Sequence, residues 1–241
     1  TVNRWWANLL GQGLVRSGED FGTQSEPASH PELLDWMANE LVHNQFSRKH
    51  IHKLIVMSST FRQSSKTNQQ RLELDPENRL YTRGPRMRMP AEMIRDHGLA
   101  VSGLLSLKKG GPPIMPFQPD NVWRAVGRNA PQWKTATDEN RFRRGIYVIW
   151  RRAAPYPSFV NFDAPDRAAC VVERPRTNTP LQALTLLNDQ AYIEMAVALA
   201  DQVNSTIPNA TIRNKIALAM RRCVIRTPTH AELDELTQLY H

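Results

Sequence analysis

Three short stretches of this 241-residue chain share one pattern that restricts its fold more than any other feature. Each sets a hydroxyl residue three places ahead of an acid or amide, just before an apolar run: Ser29-His30-Pro31-Glu32, Thr179-Pro180-Leu181-Gln182 and Thr229-His230-Ala231-Glu232. In such a box the hydroxyl accepts from a backbone N–H three residues on while the acid or amide reaches back, so each marks a helix start. The first two place Pro inside the first turn, where its missing N–H is not needed and its fixed φ suits the helix.

Helical spacing follows these starts. Leu33, Leu34, Met37, Ala38 and Leu41 predict a helix over about 30–43. Ser47 caps a second, carrying Ile51, Leu54, Ile55 and Ser58, and the two form an antiparallel hairpin. Val2 to Leu10 reads as a helix stopped at Gly11 and Gly13. The Ser64–Pro90 stretch, broken by Pro76, Gly84 and Pro85, reads as a long ordered loop with one helical turn. Pro90 then opens a helix through Ile94, Val101, Leu104 and Leu105, ended by Gly110-Gly111-Pro112-Pro113. Residues 112–140, with Phe117, Trp123 and Trp133, read as an irregular excursion over the surface or a cleft.

Gly145 to Trp150 is the best strand, with Cys170-Val171-Val172 as its partner. Asn188-Asp189 breaks the helix opened at Thr179 and restarts it, Asp189 capping Gln190 to Val203; Ile212 to Arg222 and the helix opened at Thr229 close the chain. The expected fold class is therefore mainly α, with long ordered loops and a small β-hairpin-like element near 145–173. A single domain is expected over 1–241: a helical half at 1–111, a loop and small β insert at 112–178, and C-terminal helices at 179–241. The chain starts at Thr1-Val2-Asn3-Arg4 inside one helix and stops inside another, so truncation at both ends is expected. No apolar run approaches the ~20 residues of a membrane-spanning helix, and none is expected.

The net charge of +8 comes from 31 Lys+Arg against 23 Asp+Glu, and 24 of those 31 are arginine. Arginine suits planar, two-pronged recognition of carboxylate, sulfate or phosphate, and equally suits pairing in partly buried places. Arginines concentrate from Arg79 to Arg95, where Arg86 and Arg88 lie, and from Arg141 to Arg176, where Arg143, Arg144, Arg151, Arg152, Arg167, Arg174 and Arg176 lie. Those named within the two stretches are the anion-binding candidates. The other reading has them pinning loops to Glu77, Glu92, Asp96, Asp163, Asp166 and Glu173.

Asp163-x-x-Asp166-Arg167 brings two carboxylates into one Pro-containing loop, as a general acid and base or a hard-cation site would need; an Asx turn tied to arginine is the plainer reading. Glu92, Arg95 and Asp96 fall on one helix face, which can line a cleft or form a salt-bridged surface. His97 is a weaker candidate base, and His50-Ile51-His52 points its rings apart. Tyr147, Trp150 and Tyr156 interleave with Arg151 and Arg152 and are candidate sugar-stacking rings; as core they would be silent. Cys170 and Cys223, 53 positions apart and each among apolar neighbours, read as buried thiols ahead of a disulfide. No zinc, haem-attachment, P-loop, G-x-S-x-G or dinucleotide pattern occurs, and no metal or cofactor is expected in this chain.

Three stretches together resemble a known family. They are Asn3-Arg4-Trp5-Trp6 through Gly11-Gln12-Gly13-Leu14-Val15, Asp20-Phe21-Gly22 and His30-Pro31-Glu32-Leu33-Leu34-Asp35-Trp36; Arg86-Met87-Arg88-Met89-Pro90-Ala91-Glu92-Met93-Ile94-Arg95-Asp96 with Ala100-Val101-Ser102-Gly103; and Phe162-Asp163-Ala164-Pro165-Asp166-Arg167 with Arg174-x-Arg176-Thr177-Asn178-Thr179-Pro180-Leu181-Gln182-Ala183-Leu184 and Leu187-Asn188-Asp189. The chain resembles the planctomycete-type PSD domain, domain of unknown function 1553. That resemblance implies the C-terminal domain of a large secreted protein with a companion domain, and commonly a cytochrome c module whose haem lies upstream. It implies an extracytoplasmic location and supplies no reaction.

The leading functional expectation is binding of an anionic, sulfated polysaccharide or its fragments beside a cytochrome c module, with any enzymatic step left open. The alternative is a scaffold that packs against companion domains. A nucleic-acid binder fits charge alone and is not expected, since no helix-turn-helix signature, zinc finger or RNA-binding aromatic motif is present. The two leading readings differ in one respect: a scaffold pairs its arginines internally or at an interface, whereas a binder converges several unpaired ones on a concave surface.

Overall fold

The computed structural model describes residues 1–120, 122 and 132–240. Half of the chain is helical, so the fold is mainly α. It divides into two compact units, Thr1–Arg88 and Met89–His241.

In the first unit α1 (Val2–Leu10), α2 (Pro31–His43) and α3 (Arg48–Met57) pack on one another, followed by the short α4 (Ser59–Arg62) and α5 (Gln69–Leu74). Their apolar stripes meet in a core of Val2, Trp6, Leu10, Leu14, Met37, Leu41, Ile51, Ile55 and Tyr81. α1 ends at Gly11 as the sequence indicates. Ser47 caps α3 by accepting from His50 N, and Glu40 fastens the hairpin by accepting from Asn44 Nδ2 at 3.0 Å and pairing with His50 Nε2 at 2.9 Å. The first box does not form as expected. His30, not Ser29, is the N-cap and no side chain caps it, because Ser29 N is held by Leu14 O and its hydroxyl faces His30 Nδ1.

Polar side chains fix the loops of this unit. Buried Asn3 brackets Val15, donating to its carbonyl at 2.9 Å and accepting from its N–H at 3.0 Å. Buried Asp75 accepts from Arg79 N, Leu80 N and Thr82 Oγ1, which folds the Arg-rich loop around one carboxylate.

In the second unit α6 (Ala91–Val101) is the hub, packed against α7 (Pro157–Asn161), α9 (Gln190–Thr206) and α10 (Ile212–Val224). α8 (Pro180–Asn188) joins α7 to α9, and α11 (His230–Tyr240) packs on α10. The boxes at Thr179 and Thr229 form: Thr179 N donates to Gln182 Oε1, and Thr229 N and Glu232 N each bond the other residue's side chain. Asp189 restarts the helix by accepting from Ala191 N. The core here is Ala91, Ile114, Val148, Tyr156, Phe159 and Phe162.

Two expectations need correction in this unit. α6 stops at Val101, nine residues before Gly110, because Gly103 takes φ 74 and lets Leu104 N and Leu105 N both close on Leu99 O. The β-hairpin near 145–173 is absent among the described residues: Gly145–Tyr147 is a 3₁₀ turn, and residues 170–172 are exposed coil. Among the described residues the β-bridges are single and parallel, Ser106 with Arg143 and Ile114 with Val148. The reason is α6. Gly145 N donates to Asp96 Oδ1 at 2.6 Å, and a Cβ on Gly145 would lie 2.9 Å from the Glu92 backbone, so the segment is committed to the helix rather than to another strand.

Neither cysteine is disulfide-bonded. Cys170 is exposed and Cys223 half-buried, so the expectation of two buried thiols fails at Cys170, whose apolar neighbours lie in the same exposed coil. Trp123 lies outside the described residues.

Candidate functional site

Pro90 starts α6 and the α period then places Glu92, Arg95 and Asp96 on one side, as the spacing predicts. All three are used. Glu92, 18% exposed, receives Arg174 Nη1 at 2.7 Å and has Arg167 at 3.8 Å. Burial pushes its carboxyl upward, but hydrogen bonds from Arg174 and the backbone and the charges of Arg174 and Arg167 outweigh it and hold the group below its ordinary range. Asp96 accepts from Arg144 Nε at 2.9 Å and from Gly145 N. Arg95 is 3% exposed and donates through Nη2 to the carbonyl of Arg141.

The arginine candidates thus fall into distinct places. Arg143, 1% exposed, donates to the carbonyls of Pro112 and Gly110 and lies 3.9 Å over the Tyr147 ring. Arg144, Arg167 and Arg174 are tied to α6, and Arg167 also lies 4.8 Å over Trp150. Arg151 is half-buried, while Arg152 and Arg176 are exposed and make no ion pair among the described residues. In the first unit, Arg86 is exposed and Arg88 half-buried.

Asp163 and Asp166 each have their own hydrogen-bond partners. Asp163, at φ 60, accepts from Thr177 N at 2.7 Å and Thr177 Oγ1 at 2.9 Å. Thr177 Oγ1 in turn accepts from Gln182 Nε2, so the two recognisable motifs around 163 and 177 form one network at the start of α8. Asp166 closes an Asx turn on Ala168 N, and its carbonyl accepts from Trp150 Nε1. His97 Nε2 donates to Cys223 O at 3.0 Å and so fastens α6 to the end of α10. Among the described residues no group of three or more His, Cys, Asp or Glu can hold a metal ion.

Of the rings, Tyr147 OH accepts from Gly110 N, and Trp150 is half-buried. Tyr156 is core: it donates to Phe117 O at 3.0 Å, stacks on Trp133 with ring centroids 6.0 Å apart, and its phenol is pushed well above its ordinary pKa by burial.

One cavity of about 340 Å³ lies within this unit, between α6 and α9. Arg95 and Leu99 line it from α6; Gln190, Ala191, Glu194 and Met195 line it from α9. Phe117, Thr135, Arg141 and Phe142 line the remainder, and Arg141 forms an ion pair with Glu194. Sequence reasoning counted Arg141 in the arginine-rich stretch without making it a site candidate, and did not single out Gln190 or Glu194 as site residues. The available signal was on α9, where Gln190 and Glu194 are one turn apart beside the inward-facing Ala191 and Met195.

A family model described as a protein of unknown function, PSD1 (DUF1553), matches residues 1–240. No curated protein and no solved structure matches the chain.

Proposed function

The chain belongs to the PSD1 (DUF1553) family, and we propose that it works there as an interaction domain, a helical scaffold that packs against companion domains of the same extracytoplasmic protein. The observation that carries this reading is where the guanidinium groups go. Arg95 and Arg143 reach carbonyls; Arg141, Arg144, Arg167 and Arg174 reach carboxylates of the same unit. A polyanion-binding face needs such groups unpaired and convergent. The apolar side chains support the same reading. α8 turns Leu181, Leu184 and Leu187 outward, the last 72% exposed, and Ile193 and Val197 are exposed on α9, which packs against α8. A row of leucines along one helix, unlike single exposed ones, marks a contact surface.

Hydrogen exchange of the chain with and without the companion region of its polypeptide tests this. Protection of amides 180–188 on mixing, lost in Leu184→Glu/Leu187→Glu, is the expected result; unchanged exchange along α8 would count against it.

A second reading, binding of a sulfated polysaccharide beside a cytochrome c module, is favoured by exposed Arg152 and Arg176 and by half-buried Trp150 next to Arg167. It requires those few groups to supply the whole affinity.

A further inference from the structure

We propose that the cavity between α6 and α9 is a binding site for a small monocarboxylate with a compact apolar body. Size and lining set the class of ligand. A cavity of about 340 Å³ sits at the lower end of the ~300–1,000 Å³ found for small-molecule sites, so a polymer is not its occupant. Leu99, Pro116, Phe117, Phe142 and Met195 make much of the wall apolar.

Charge sets the rest. The lining holds two arginines, Arg95 and Arg141, and one acid, Glu194, which is already paired with Arg141. Arg95 has no ion pair among the described residues: its one hydrogen bond goes to a carbonyl, and its Nε is buried without a partner. Two carboxylates act on it electrostatically without forming an ion pair with it: Asp96, bonded to Arg144 and Gly145, and Asp189, the cap of α9. Burying a guanidinium without a directly paired carboxylate is costly, and burial pulls the Arg95 pKa down against the weaker pull of Asp96 and Asp189. The lining therefore carries one positive charge in excess. A single carboxylate matches that charge and the planar fork of arginine, while Phe117 and Phe142 supply aromatic wall for an apolar body. None of Leu181, Leu184 or Leu187 takes part, so this site and the docking reading stand or fall separately.

The test titrates the chain with benzoate, cyclohexanecarboxylate and the neutral isostere benzamide, following heat of binding and Tm. Both carboxylates should bind saturably and raise Tm, with benzamide at least tenfold weaker. Arg95→Lys, which keeps the charge and loses the fork, should weaken benzoate at least tenfold. Ala191→Leu fills the cavity and should abolish binding; Thr135→Phe plugs it from outside the helices in case the α9 substitution impairs folding. Arg152→Ala should change nothing. Equal binding of benzamide, binding that survives Arg95→Lys and the plugs, or no binding of either carboxylate at millimolar concentration would overturn the proposal.

Discussion

In residues 1–88 the buried set is dominated by aliphatic and aromatic side chains, mostly from three helices, whereas in residues 89–241 the largest fully buried side chain is a guanidinium, Arg143. The first unit uses hydrophobic burial at helical spacing and adds polar anchors, Asn3 and Asp75, only at its loops. The second organises its loops around α6 by charge: residues 141–145 and 167–174 are drawn to Glu92, Arg95 and Asp96, and residues 110–112 to Arg143. An arginine-rich composition therefore does not by itself describe a surface, since in one unit of the same chain Arg95 and Arg143 lie inside the fold.

The comparison can be broken at its strongest points first. Ile51→Ala in the first unit removes a fully buried side chain and should cost about 3–4 kcal/mol, read by urea unfolding with hydrogen exchange to assign the loss to that unit. Arg143→Met should cost about 3 kcal/mol in the second unit, because the carbonyls of Gly110 and Pro112 lose a charged donor inside the fold; a loss under about 0.5 kcal/mol would mean the pin is dispensable.

Glu92→Gln sharpens the charge side, with an expected loss of about 1 kcal/mol after allowing for the partial exposure of Arg174 and Arg167. Because the folded state lowers the Glu92 pKa, its contribution is complete above the ordinary value of 4.5 and fades as pH falls through the lowered one. The substitution should thus flatten the acid limb of stability below about pH 4.5 and leave the limb above pH 7 parallel to wild type. Arg16→Ala, removing a pair with Glu77 in which both side chains are about half exposed, should change stability by no more than ~0.5 kcal/mol.

The same contrast explains what could be read from the sequence. α1, α2, α3 and the C-terminal helices were legible because periodic apolar residues and caps at Ser47, Thr179, Asp189 and Thr229 act over three or four residues. Local signals misled where a distant partner intervened. Ser29 is taken by Leu14, α6 is cut short by a left-handed Gly103 backed against Gln202, and the 145–150 segment is drawn to Asp96 and residue 114 instead of to 170–172. The shared face of Glu92, Arg95 and Asp96 was legible; the identity of its partners, 46 to 82 residues away, was not. Glu194 reaches the cavity through the packing of α9 on α6; the spacing along α9 marks the side it shares with Gln190 but not the helix it meets.

The most direct measurement is a titration of the chain with a sulfated polysaccharide, an uncharged polysaccharide and duplex DNA at ~150 mM salt, where exposed charges are screened beyond ~8 Å, repeated with Arg152→Ala/Arg176→Ala. If the arginines are engaged within the fold, the sulfated polymer binds no better than DNA, and the double substitution changes little. Saturable binding that prefers the sulfated polymer and is lost in the double variant would contradict the account and make that surface the functional one.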